Sequence, residues 1–76
     1  MVSATTANTM TILGITVTVG TATQFENPDG TPFPGGQAAF IGAIVPNVTV
    51  VKARGTFTAP ASLDATGEEV QFDQVQ

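Results

Sequence analysis

The chain has no cysteine and no histidine among its 76 residues. Without cysteine there is no disulfide and no thiolate metal site, and without histidine the commonest catalytic base and metal ligand is gone. Tryptophan and tyrosine are absent as well, so the aromatic content is five phenylalanines. Charge is scarce: two cations stand against six carboxylates, for a net charge of −4. With Lys52 and Arg54 as its whole basic complement, the chain has no field with which to neutralise phosphates, which argues against nucleic acid as a partner. No apolar run approaches the ~20 residues a membrane span needs, so no membrane insertion by this domain is expected. No basic segment followed by an apolar one opens the chain, so no signal peptide is read there. The expectation is a single small domain over residues 1–76, monomeric and excised from a longer multi-module protein. A chain of this size buries only roughly 60–65% of its unfolded surface, and its stability has to come from packing.

What is present is strand signal. The stretch 48–57 carries the strongest of it: β-branched residues crowd its first half, Lys52 and Arg54 lie two apart on an outer face, and Val51, Ala53 and Phe57 point inward. Gly55 interrupts the inner row, where a small residue permits a bend or the close approach of another backbone. Upstream, Val2 and Ala4 read as the end of a first strand that turns at Ala7 and Asn8. Residues 9–13 and 15–19 are strand-like, with Ile15, Val17 and Val19 on one face and Thr16 and Thr18 on the other. One residue is too short for a hairpin loop, so Gly14 is read as a bulge or sharp bend in one coiled ribbon. Thr23, Gln24 and Phe25 form a short strand with Phe25 inward.

Residues 26–32 hold the turn formers Asn27, Pro28, Asp29, Gly30 and Pro32, and are a loop. Residues 37–45 form the helical segment, with Phe40, Ile41, Ile44 and Val45 on one side, weakened by Gly42 and ended by Pro46. The central ribbon breaks at Pro60. In 62–72, Leu63 and Ala65 are in one phase and Val70 and Phe72 in the opposite one, which demands a bulge or turn at Thr66, Gly67 and Glu68. Residues 73–76 are a polar tail. Strand segments on both sides of one short helix predict an all-β fold with that helix, as a small closed or partly open five- to six-stranded OB-like β-barrel. An SH3-like barrel has a similar strand count, but the helix position favours the OB type.

The residues Ile12, Leu13, Gly14, Ile15, Val17 and Val19, then Thr23, Gln24 and Phe25, the 40–44 segment, Val51 to Thr56, and Leu63, Asp64 and Ala65 resemble a bacterial family of small β-barrel modules. That family is classed as a domain of unknown function and occurs, often in tandem copies, in secreted proteins and lipoproteins. The resemblance covers nearly the whole chain from Val2. Ala53 stands where the family usually has valine, and Asn47 where it customarily has glycine before the central ribbon. Membership implies a location in the bacterial cell envelope or outside the cell and a role as a repeated module. It supplies no catalytic residues.

Candidate sites are few. Ser3 and Ser62 have no histidine or cysteine to work with, so nucleophilic hydrolysis lacks its base. Glu26, Asp29, Asp64, Glu68, Glu69 and Asp73 formally allow a glycosidase-like pair, but turns and outer strand positions explain them. No catalytic, cofactor or metal residues are therefore assigned. Three side-chain oxygens in 26–30 are how a weak calcium site begins, yet the acidic spacing of a calcium loop is missing and a turn needs the same residues. Thr-x-Thr pairs at Thr9/Thr11, Thr16/Thr18 and Thr21/Thr23 suggest a surface array, although Gly14 and Gly20 between them are expected to bend it. Asn47, Val48 and Thr49 match the glycosylation pattern, without meaning in a bacterial chain. Phe33, between Pro32 and Pro34, either anchors a partner or tucks over the helix. The leading expectation is a non-catalytic structural or interaction module of the envelope. The alternative is a module binding a glycan or peptide along the Lys52/Arg54 strand face or at the Phe33 loop. Its partners would be an envelope protein, a glycan or neighbouring repeats, and an incomplete first strand would leave an edge open to self-association.

Overall fold

The computed structural model describes residues 1–73, so the predicted polar tail lies, beyond Asp73, outside the described residues. In chain order the elements are β1 (Val2–Thr5), β2 (Thr9–Ile12), β3 (Ile15–Thr18), β4 (Gln24–Glu26), α1 (Gly36–Gly42), β5 (Val51–Ala53), β6 (Thr56–Thr58), β7 (Ser62–Asp64) and β8 (Glu69–Phe72). They make two sheets, one ordered β1-β2-β3-β7-β6 and the other β4-β8-β5. The fold is mostly β with one short helix. Its strands are shorter and more numerous than the ribbons read from the sequence, because the chain crosses from one sheet to the other between β3 and β4, between β5 and β6, and between β7 and β8.

Two of these crossings are made in step. β3 runs parallel to β7 and β4 runs parallel to β8. Between them both chains take a turn, closed by Thr23 N–H to Gly20 C=O on one and by Glu68 N–H to Ala65 C=O on the other. The buried Thr23 hydroxyl locks the turns together: it accepts from Gly20 N–H at 2.9 Å and donates to Ala65 C=O at 2.8 Å. Thr23→Val keeps the shape but strands the Gly20 N–H and removes the link to the Ala65 turn, which costs about 1–3 kcal/mol. A fall of that size in urea unfolding free energy is the expected result, and an unchanged midpoint would show the lock to be idle.

The third crossing is at Gly55. A Cβ on Gly55 would lie 2.2 Å from the Asp64 carbonyl oxygen, so this is the close backbone approach that a glycine in the ribbon signalled. The core lies between the sheets, where Val2, Met10, Val17, Phe40, Ala65 and Val70 are at most 1% exposed. Four phenylalanines meet in it: Phe40 stacks on Phe72 at 4.1 Å, and Phe25 and Phe33 approach Phe40 at 4.9 and 5.3 Å. α1 is too short to be stable by propensity and has no side-chain cap. It is held by Phe40.

Several sequence expectations need correction. Gly14 is not a bulge in a continuous ribbon. Ile12 pairs with Ile15, and Leu13 and Gly14, at φ 51° and 79°, are the two central residues of a tight hairpin turn. Leucine gives no signal for that conformation. The central strand starts at Val51 rather than Val48, because Pro46 and Asn47 (φ 65°) close a turn in which Val48 N–H donates to Val45 C=O. Asparagine tolerates the left-handed region in which glycine is otherwise preferred, which accounts for Asn47 at that place. α1 ends at Gly42. Ile44 is still buried beyond it, whereas Val45 is turned out to solvent. Phe57 has the inward phase, paired with the half-buried Leu63, yet it is 52% exposed. β6 is the edge strand of the wider sheet, with a neighbour on one side only.

Candidate functional site

Lys52 and Arg54 are exposed, as their alternation with Val51 and Ala53 predicts. Lys52 belongs to β5, where its cross-strand neighbour on β8 is the uncharged Gln71. Arg54 lies just past the strand end, and its backbone N–H bonds Glu69 C=O while its guanidinium meets the Glu69 carboxylate at 3.6 Å. The two cations thus differ: Arg54 has a carboxylate beside it, and Lys52 faces an amide. An exposed pair of this kind contributes roughly 0.2–1 kcal/mol and is screened by salt. Lys52, Arg54, Glu69 and Gln71 line a shallow hollow of about 280 Å³.

Phe33 tucks in. Its ring meets Phe40 and Phe72 edge-on, each at 5.3 Å, and its backbone N–H bonds Phe25 C=O. The same residue walls a hollow of about 390 Å³ lined by Thr23, Gln24, Phe25, Glu26, Pro32 and Gly36. The Phe33 loop and the Lys52/Arg54 face are separate hollows with no lining residue in common.

The 26–32 loop is a turn built from its own side chains. Asp29 Oδ1 accepts from the Thr31 hydroxyl and the Thr31 N–H. Asn27 Nδ2 donates to Thr31 Oγ1 and Pro32 C=O, while the Asn27 and Pro28 carbonyls take both donations of the Gln71 amide. Of the side-chain oxygens that suggested a calcium ligand set, Asp29 Oδ1 is taken up by Thr31, and the Asn27 amide serves the loop as a donor through Nδ2. Among the described residues no three acidic side chains cluster in a way that holds a metal. Asp64 repeats the Asp29 motif, accepting from the hydroxyl and N–H of Thr66.

In both motifs the threonine hydroxyl first, and the backbone N–H second, hold the aspartate pKa below its ordinary value. A depressed folded-state pKa stabilises the fold above the unfolded carboxylate value of ~3.9. That contribution is lost as pH falls through the lower folded values. Asp29→Asn with Asp64→Asn keeps both acceptors and removes both titrations. The double variant is expected to show a flatter decline of stability below about pH 4, measured by urea unfolding at a series of pH values, and an identical slope would refute the assignment.

The threonine pairs are placed differently from the expectation. Because Leu13 and Gly14 turn the chain back, Thr9 faces Thr18 and Thr11 faces Thr16 in register. The parallel neighbour then sets Ser62 beside Thr16 and Asp64 beside Thr18. This is a polar outer sheet face, made of residues that suit a solvated strand. Sequence reasoning missed two features near the rim of the fold: the turn residue Leu13, which is 84% exposed, and a cleft of about 170 Å³ that it lines with Ile12, Ile15, Val17, Val51, Ala53 and Leu63. The only signal available was the run of apolar residues on both sides of Gly14. Compared with family models, curated proteins and solved structures, the chain finds no match.

Proposed function

We propose that the chain is a non-catalytic, OB-like β-barrel module of a bacterial exported protein or lipoprotein, with a structural or interaction role in the envelope. Joining each ribbon across its crossing turns β3 with β4, β5 with β6, and β7 with β8 into three long coiled strands. Together with β1 and β2 they then follow the order 1-2-3-5-4, with α1 between the third and fourth, the place of the helix in an OB-type barrel. Hydrogen bonds from Val2 N–H to Thr49 C=O and from Asn47 N–H to Val2 C=O bring the first strand to the chain leading into the fourth. The observation that carries the non-catalytic reading is what the polar groups do: Asp29 and Asp64 shape turns, Glu69 meets Arg54, and Thr23 locks a crossing.

The envelope assignment rests on the family resemblance. A second reading, a module that binds a glycan or peptide, is favoured by the two hollows at Phe33 and at Lys52/Arg54. The test is incubation of the purified domain with peptidoglycan fragments, short acidic glycans and peptides, followed by product analysis. Intact substrates are the expected result. Turnover of any of them without added metal would overturn the module reading.

A further inference from the structure

The geometry points to the free edge of β5, with the apolar cleft beside it, as a seat for an extended peptide strand that carries a carboxylate between two apolar residues. It rests on the reading of the domain as an interaction module and names the partner's chemistry.

The backbone sets the first requirement. Arg54 N–H bonds Glu69 C=O and Asp73 N–H bonds Val50 C=O, with Lys52 paired to Gln71 between them. In an antiparallel ladder the hydrogen-bonded residues alternate, so Val51 and Ala53 direct their N–H and C=O groups away from β8. Among the described residues no hydrogen bond reaches them on that side. β1 bonds the chain only at Asn47 and Thr49, short of β5. A strand edge of this kind is satisfied by another backbone, as in β-strand addition.

The cleft sets the second. An added strand places the residues opposite Val51 and Ala53 on their inward face, over the floor of Ile12, Ile15, Val17 and Leu63. The cleft's 170 Å³ compares with the roughly 150 Å³ that accommodates a benzene-sized group, so one of the two apolar side chains, a branched aliphatic, fills it while the other covers its rim. Leu13 stands at its mouth, exposed and at positive φ, where glycine, asparagine or aspartate is the unstrained choice. A strained, solvated leucine at the rim of an apolar cleft is accounted for by contact with a ligand.

Charge sets the third. The residue opposite Lys52 shares its outer face, and because the neighbour on the other side is Gln71, a carboxylate there gains a cross-strand partner.

The test uses the labelled domain and two capped peptides, Thr-Val-Glu-Val-Thr and Thr-Val-Lys-Val-Thr, titrated in amide NMR spectra. The glutamate peptide is expected to shift Leu13, Ile15, Val51 and Ala53 and to bind more tightly than the lysine peptide. Lys52→Glu should reverse that order, by roughly two- to fivefold for each peptide. Leu13→Asn relieves the turn, so it should melt at a higher temperature and yet bind less. No shifts at millimolar peptide, shifts confined to Arg54 and Glu69, or a Leu13→Asn variant that binds normally would each overturn the proposal. The same amides shifting with protein concentration alone would give the edge to a second copy and overturn it too. Turnover of an envelope substrate without loss of these shifts would remove the module reading and leave the strand seat standing.

Discussion

Phe40→Ala is expected to leave the domain unfolded at room temperature. Phe40 has no exposed surface, and its ring is in contact with three others, stacked on Phe72 and tilted or edge-on to Phe25 and Phe33. Truncating a buried phenylalanine costs about 3–5 kcal/mol, through lost transfer energy and the cavity left behind. The aromatic pairs add roughly 0.5–1.5 kcal/mol each beyond burial. A core in a domain of this size supplies roughly 3–5 kcal/mol of net stability, so the loss equals the whole margin. The effect is also structural, since α1 has no side-chain cap and is anchored by this residue. Collapsed amide dispersion would be the readout. Phe40→Leu, which refills most of the space, should recover a dispersed spectrum with a lower melting temperature. A folded Phe40→Ala protein with a wild-type midpoint would mean that the four rings are not the centre of the core.

Gly55→Ala is the second large effect, from the opposite cause. The Cβ it adds would fall 2.2 Å from the Asp64 carbonyl oxygen, 2.7 Å from the carbonyl carbon and 3.1 Å from Ala65 Cα. All three are backbone atoms, so no side chain can swing aside. The strands must separate, and they are the ones that carry β6 along β7 beside the Ala65 turn. Overpacking costs about 1–3 kcal/mol where side chains can adjust, and the upper end or more is expected here. Gly67→Ala is the control, because a Cβ there meets nothing within 4 Å. Urea unfolding should show a large loss for the first and little change for the second. Equal midpoints would show that the strands do not touch at Gly55.

These two residues were legible in the sequence in different degrees. The helical segment named Phe40 as inward, and a lone glycine in a β-branched ribbon named Gly55 as a bend or close approach. Alternation placed Val17, Val19 and Phe25 inside, and the phase change between Leu63 and Val70 required the turn that Thr66 and Gly67 make. Alternation reports which way a side chain points and is silent on whether anything lies there. Phe57 points inward at the rim of the wider sheet and stays half exposed for that reason. Leu13 carries a left-handed conformation that leucine does not signal, so the local pattern points to a bulge at Gly14 and not to a hairpin. Pro46 followed by Asn47 carries a turn signal, but the β-branched residues after it carry a strand signal that begins at Val48. The Thr23 lock joins residues 42 positions apart, beyond the reach of any local pattern. Of the candidate site, the exposure of Lys52 and Arg54 was legible. Their division into a cation with a carboxylate and one beside an amide depended on the register of β5 against β8.

Three crossing ribbons bind the two sheets into a single cooperative unit. Native-state amide hydrogen exchange tests it most directly, comparing Thr16 and Ala65, which bond across the first sheet, with Gln24 and Arg54, which bond across the second. One cooperative unit predicts that all four exchange with the same free energy, equal to that of global unfolding, and that Thr23→Val lowers all four together. Separate exchange energies for the two sheets, with Thr23→Val lowering only one of them, would contradict it.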